Sequence, residues 1–212
     1  MQGQPADPAA RARRTGRTGG RAVGLRDDRQ PGGRVIAADT GAGGLLLRPV
    51  TEADLPLLTG WMNDPAVDAF WELAGPPERT AAHVRPQLAP GGPSRAYLGE
   101  LAGEPVSYWE VYQVLEDRLA DYYPAEPGDL GVHLLLGPPG ARGRGLGAVL
   151  IDAVAGALLT GTGCERVVAE PDVRNTASLR AFARAGFRIE REIRLPEKRA
   201  ALMVRGREPR RG

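Results

Sequence analysis

The feature that most restricts this chain is Arg142-Gly143-Arg144-Gly145-Leu146-Gly147. It stands between an apolar run, Val132-His133-Leu134-Leu135-Leu136, and the helically spaced Val149, Leu150, Ala153, Val154, Ala157 and Leu158. Glycines at such a place can take positive φ and let a ligand come close to the backbone. The helix start behind them presents unpaired N–H groups and the positive end of a dipole, so the loop is suited to an anion such as a phosphate. Arg142 and Arg144 add formal charge. No Gly-Lys-Ser/Thr ending follows, which excludes a Walker loop. A dinucleotide fingerprint belongs early in a βαβ unit, with an acidic residue about 20 positions on; here the loop comes late and its glycines are spaced differently. The bland alternative is a flexible loop ahead of a helix.

The flanking sequence fills in an α/β pattern. Val132 to Leu136 is apolar on both faces apart from His133, which predicts a central strand. Upstream, Leu45-Leu46-Leu47 reads as a strand, and Thr51 with Asp54 three positions on reads as a helix start. Residues 97–101 and 106–112 read as a hairpin turning at Ala102-Gly103-Glu104-Pro105. Downstream, Arg166-Val167-Val168-Ala169-Glu170 is a buried strand closed by Pro171. A helix follows from Asn175 to Ala185, with Gly186 at the left-handed cap position. Two more strands near 187–194 and 200–205 complete the domain.

Charge is unevenly spread. Residues 1–34 carry a balance of +5 and 206–212 one of +2, leaving −5 on 35–205. The basicity that would suggest a nucleic-acid partner therefore sits in the tails, and the folded part suits a cationic substrate better. Residues 1–43, rich in Gly, Arg, Ala and Pro, have too little apolar surface to offset ordering and are expected to be disordered. The expected organisation is a tail over 1–43, one domain over 44–206 and a basic tail over 207–212. One cysteine, Cys164, and two histidines leave no basis for a disulfide framework or a metal centre, and no metal is expected. No apolar run reaches the length of a membrane span, and the opening residues lack the apolar core of a secretory signal, so the cytoplasm is the expected compartment.

Two motifs then carry a resemblance. Arg142-x-x-Gly145-x-Gly147 after a strand resembles motif A of the GNAT superfamily of acyl-CoA-dependent N-acyltransferases, and Asn175-x-x-Ser178-x-x-x-Phe182-x-x-x-Gly186-Phe187 resembles its motif B. The resemblance runs from about Leu45 to Arg205. It implies a GNAT fold, a central mixed and mostly antiparallel sheet flanked by helices. It also implies acyl-CoA as co-substrate, its pyrophosphate held by Arg142, Gly143, Arg144, Gly145, Leu146 and Gly147, with Asn175 making a structural or coenzyme hydrogen bond. Gly131 to Leu135, Val168 to Asn175 and Leu195 to Ala200 are similar to the siderophore branch, as are Tyr108-Trp109-Glu110 and Ala69-Phe70-Trp71. That branch acylates the terminal amine, or hydroxylamine, of lysine or a related diamine for iron acquisition. Aminoglycoside 6′-N-acetyltransferases are its cousins and supply a second reading; a non-catalytic, coenzyme A-binding module is the third. The sequence leaves open whether the donor is coenzyme A or an acyl carrier protein thioester.

Acylating an amine requires a base for the proton that the nucleophile loses, and a histidine with a pKa near neutrality suits that role. His133 lies on the strand entering the glycine loop, on the face shared with Gly131 and Leu135. In the siderophore branch a histidine at this position is the proposed base and an aspartate matching Asp172 its partner. A buried, carbonyl-bonded histidine is the structural alternative, and for Asp172 an N-cap, which Asn175 could equally supply. Trp71, Trp109 and Tyr112 are candidates to line a slot for an aliphatic acceptor, with Glu72 or Glu110 near its charged end. Many relatives carry a tyrosine where this chain has Phe182, which cannot protonate a departing thiolate. Either the thiolate leaves unprotonated or another group serves, Tyr122 and Tyr123 being the candidates.

Overall fold

The computed structural model describes residues 23–26, 35–89 and 91–207. The expected tails over 1–22, 27–34 and 208–212 lie outside the described residues. Nine strands form one sheet in the order β1-β2-β3-β4-β5-β6-β7-β9-β8. In chain order these are β1 (Val23–Arg26), β2 (Val35–Thr40), β3 (Gly43–Pro49), β4 (Ser94–Leu101), β5 (Glu104–Gln113), β6 (Leu130–Leu136), β7 (Arg166–Ala169), β8 (Arg188–Arg194) and β9 (Arg199–Gly206). Every pairing is antiparallel except β6 with β7. Among the described residues there are five α-helices: α1 (Leu55–Met62), α2 (Pro65–Trp71), α3 (Pro77–Val84), α4 (Leu146–Gly161) and α5 (Thr176–Arg184).

One boundary needs correction. Residues 23–26 and 35–43, assigned by composition to a disordered tail, form β1, β2 and the turn into β3. Ile36 and Ala38 are buried against the main core, so alternate residues of a strand supply the apolar surface that the composition of the whole segment hides.

Local chemistry fixes the elements around the site. Asp54 accepts from the backbone N–H (2.8 Å) and hydroxyl (2.9 Å) of Thr51, and Arg48 holds the same carboxylate from β3 at 2.8 and 2.9 Å. Asp64 caps α2 by accepting from Ala66 N–H at 2.9 Å, with Pro65 at the first helical position. Asn175 caps α5 by accepting from Ser178 N–H at 3.0 Å, and Gly186 ends that helix at φ +85°.

The described residues form three apolar clusters, and the sheet parts the two that flank the site. Trp109, Val132 and Ala169 face α4 and Phe182, whereas Tyr108 and Leu135 face α1, α2 and α3. On β5 this follows from strand alternation: Ser107, Trp109 and Val111 point one way, Tyr108, Glu110 and Tyr112 the other. β6 and β7 pair only at Leu130–Val167 and Gly131–Val168, after which β6 runs on while β7 ends at Ala169. The sheet therefore opens beyond Gly131, next to His133.

Candidate active site

Two cavities meet at that opening. The larger, about 630 Å³, lies under the glycine loop and is lined by Gly143, Gly145, Leu146 and Gly147 together with Leu134 to Leu136 and α5. The smaller, about 310 Å³, is lined by His83, Glu110, His133, Glu170 and Lys198 among others. Phe70, Trp71, Leu134, Asn175, Ser178 and Phe182 belong to both walls.

The glycine loop is a backbone device. Gly143 and Gly145 sit at φ +73° and +82° with open space where a Cβ would stand, so the conformation rather than crowding requires glycine. Among the described residues, the N–H groups of Gly143 to Gly147 meet no acceptor. Together with the start of a sixteen-residue helix they form a cradle that fits an anionic group such as a pyrophosphate. The Arg142 guanidinium is engaged elsewhere. It donates to the carbonyls of Leu136 (3.0 Å) and Gly137 (2.6 Å) and pairs with Asp64 at 3.0 Å, so its side chain braces the loop against β6 and α2. Arg144 is exposed and lines neither cavity.

The smaller cavity is made of side chains. Glu110 and His133 are direct partners in the β5–β6 register. His133 Nδ1 lies 2.8 Å from Glu110 Oε2, and its Nε2 bonds Glu170 Oε1. Glu170 follows β7 at the level of His133, and Tyr112 donates its hydroxyl to Glu170 Oε2 at 2.8 Å. Lys198 stands 3.7 Å from Glu170, from the turn between β8 and β9. The other oxygen of Glu110 lies 2.6 Å from His83 Nε2 and accepts from Gln87 (2.8 Å) and Tyr108 (2.9 Å). Gly131 makes room for this arrangement: a Cβ there would lie 2.0 Å from the Tyr112 ring.

The charges follow from the geometry. A ring with both nitrogens on ionised carboxylates donates from both, so His133 is an imidazolium. Burial alone would pull it down, but the charge of Glu170 and the hydrogen bonds to both glutamates outweigh that and push its pKa up to about 10. Burial raises Glu170 and Glu110 in turn. The charge of His133 and its hydrogen bond nevertheless hold Glu170 down at about 2, and the hydrogen bonds of His133 and His83 hold Glu110 well below the usual carboxylate range. The expectation of a near-neutral histidine is thereby corrected.

Several expected residues stand elsewhere. Asp172 lines the cavity, but its carboxylate is taken by Arg174 at 2.6 to 3.0 Å; Glu110 and Glu170, not Asp172, hold His133. Trp109 is wholly buried on the opposite face, where it donates to Ser107 at 2.9 Å, and it cannot line an acceptor slot. Tyr112 is buried and lines neither cavity; it bears on the site through its hydroxyl on Glu170 and its ring 5.1 Å from that of His133. Trp71, Glu72 and Glu110 do line the cavity. Asn175 is the α5 cap and lines both cavities. Tyr123 donates to Asp129 at 2.8 Å, and neither it nor Tyr122 lines either cavity, so neither replaces the missing hydroxyl of Phe182. Sequence reasoning missed His83, and it missed Glu170 as a partner of His133. Glu170 stands two residues beyond Val168 as His133 stands two beyond Gly131, a match that exists only once the Gly131–Val168 pairing is set.

Residues 50–195 match the family model described as an acetyltransferase (GNAT) domain. The chain is similar to the lysine N-acyltransferase MbtK of Mycolicibacterium paratuberculosis, 36% identical over 157 residues that cover 74% of this chain and 71% of that one. It is 34% identical to the N-hydroxyputrescine acetyltransferase of Acinetobacter baumannii, over 70% of this chain and 71% of that one. Among solved structures, the aminoglycoside acetyltransferase AAC(6')-Ib in complex with coenzyme A and kanamycin superposes with a TM-score of 0.68 at 25% identity, covering 77% of this chain and 95% of that one. No helix of the described residues is long and apolar enough to cross a membrane.

Proposed function

The chain belongs to the GNAT acetyltransferase family, and on that premise we propose that it transfers an acyl group from coenzyme A to the terminal amine or hydroxylamine of lysine or a related diamine, for hydroxamate siderophore assembly in the cytoplasm. The observation that carries this reading is the line Glu110–His133–Glu170 at the mouth between β6 and β7, where the two cavities join. The named relatives act on lysine and on N-hydroxyputrescine, which supports an acceptor of that size.

The loop N–H groups of Gly143 to Gly147 hold the pyrophosphate, and Phe70, Trp71, Leu134 and Phe182 enclose the passage between the cavities. Glu170 receives the N–H groups of the acceptor in place of the imidazolium. His133 then loses its Nε2 proton to solvent while its Nδ1–H goes on donating to Glu110, which fixes the ring, the arrangement of a base with its orienting carboxylate. Nε2 takes the proton that the amine nitrogen loses as the new C–N bond forms. It returns that proton to sulfur as the C–S bond breaks, which a chain with Phe182 in place of a tyrosine requires.

An aminoglycoside is the second reading, and the fold likeness to AAC(6')-Ib is what favours it. Against it stands the cavity of about 310 Å³, which suits one aliphatic chain better than several sugar rings. The test is thiol release from acetyl-, succinyl- and long-chain acyl-CoA with lysine, N6-hydroxylysine, hydroxycadaverine or kanamycin, against His133→Ala. Turnover on a lysine-like acceptor that is lost in the variant is the expected result. Turnover on kanamycin alone moves the protein to the resistance enzymes, and coenzyme A binding without turnover makes it a non-catalytic module.

A further inference from the structure

His83 stands in the last turn of α3, and neither the family motifs nor the chemistry above uses it. Its Nε2 lies 2.6 Å from Glu110 Oε1, mirroring His133 Nδ1 at 2.8 Å from Oε2, so one buried carboxylate orients two imidazoles. Both rings line the same cavity, and Trp71 stands edge-on to each, at 6.3 Å from His83 and 6.2 Å from His133. A third of the His83 side chain is exposed. Glu110 is anionic and acceptor-only, so His83 donates from Nε2, and Nδ1 meets no partner among the described residues. A neutral ring in that tautomer presents a lone pair outward. The ionisable groups around it are Glu110 and Tyr108 on β5, His133 on β6, Glu170 beyond β7, Glu72 at the end of α2 and Lys198.

Proton counting gives this second dyad a task. A primary alkylamine has a pKa of about 10.4 and arrives as an ammonium. Becoming an amide costs it two protons, one of which ends on the thiol and one in solvent. An N-alkylhydroxylamine is already neutral at pH 7 and loses only one. Once its own Nε2 proton has gone to solvent, His133 carries one proton from nitrogen to sulfur.

We propose that His83 is a second proton acceptor of this cavity, which takes the extra proton of an ammonium substrate and releases it to solvent. His83 Nδ1 removes one proton from R–NH3+. The neutral amine then forms the C–N bond, its second proton moves to His133 and on to sulfur as C–S breaks, and one H+ is released overall. The inference rests on the amine-acylation reading and narrows it, since such a cavity is equipped for unhydroxylated amines.

The test compares wild-type, His83→Gln and His83→Ala full-length protein on lysine and on N6-hydroxylysine from pH 6 to pH 10; glutamine keeps an N–H donor for Glu110. The expected result is a loss of about 10²-fold in kcat/KM on lysine at pH 7. That loss shrinks toward pH 10, while hydroxylysine shows a smaller loss that does not change with pH. Added imidazole restores lysine turnover to His83→Ala, which repair of a merely structural defect would not explain. Equal losses on both acceptors at every pH, unchanged lysine turnover, or the absence of imidazole rescue overturns the inference and leaves acylation standing. Wild-type turnover of hydroxylysine alone does the same. Wild-type inactivity on both acceptors removes the underlying reading as well.

Discussion

The two cavities that meet beside Leu134 are made by opposite means. The glycine-loop cleft uses backbone: its N–H groups are unspent, two of its residues sit at positive φ, and Arg142 is occupied in holding the loop to β6 and α2. The histidine cavity uses side chains, with two glutamates nearly sealed from solvent and two histidines hung on one of them. A backbone site tolerates change around it because its donors belong to the fold. A site of buried charges fails together, because every member is another member's counterion. The first arrangement suits a donor common to many enzymes, the second an acceptor to be told from near neighbours.

Glu110→Gln tests the cooperative half most severely. Removing one charge from a buried pair costs about 3–5 kcal/mol, and loss of the group that orients His133 lowers kcat by about 10³-fold. Thermal unfolding and thiol-release rates read the two effects, and a variant with near-normal kcat would break the contrast. Stability against pH is the next measure. His133 has its pKa raised from 6.5 to about 10, so its contribution is complete below pH 6.5 and is lost as pH climbs toward 10. Glu170 is depressed from 4.5 to about 2, so its contribution is present above pH 4.5 and is lost as pH falls toward 2. Urea melts of wild type and His133→Asn at pH 6, 8 and 10 should therefore converge as pH rises.

Gly131→Ala strikes the same cavity through packing. The new methyl meets the Tyr112 ring, displaces its hydroxyl from Glu170 and costs about 1–3 kcal/mol, with the KM for the acceptor rising while that for the donor holds. Gly145→Ala does the converse at the other site: a left-handed alanine costs about 1–2 kcal/mol, and the donor KM rises alone. Arg144→Ala is the mildest, a change of about two- to threefold in donor KM that disappears at high salt, as expected of an exposed charge.

Legibility in the sequence follows the same division. The glycine loop, the α5 cap at Asn175 and the central place of β6 were readable because each is encoded within a few adjacent residues. The histidine cavity was not. Glu110 meets His133 across a register set by a long connection between β5 and β6 rather than by a short turn, and His83 reaches Glu110 from a helix whose packing no local pattern specifies. Trp109 misled because alternation says that it and Glu110 part company across the sheet without saying which of them faces the site. Asp172 misled because its neighbour two positions on, Arg174, satisfies it locally.

The seam between β6 and β7 has a mechanical meaning. Two blades of sheet, β1 to β6 and β7 to β9, are joined by backbone pairing only at Leu130–Val167 and Gly131–Val168. That short join is the compliant line of an otherwise stiff plate. Force applied by a bulky occupant concentrates there as bending, and amide exchange at Val132 and Ala169 will register strain before any helix does.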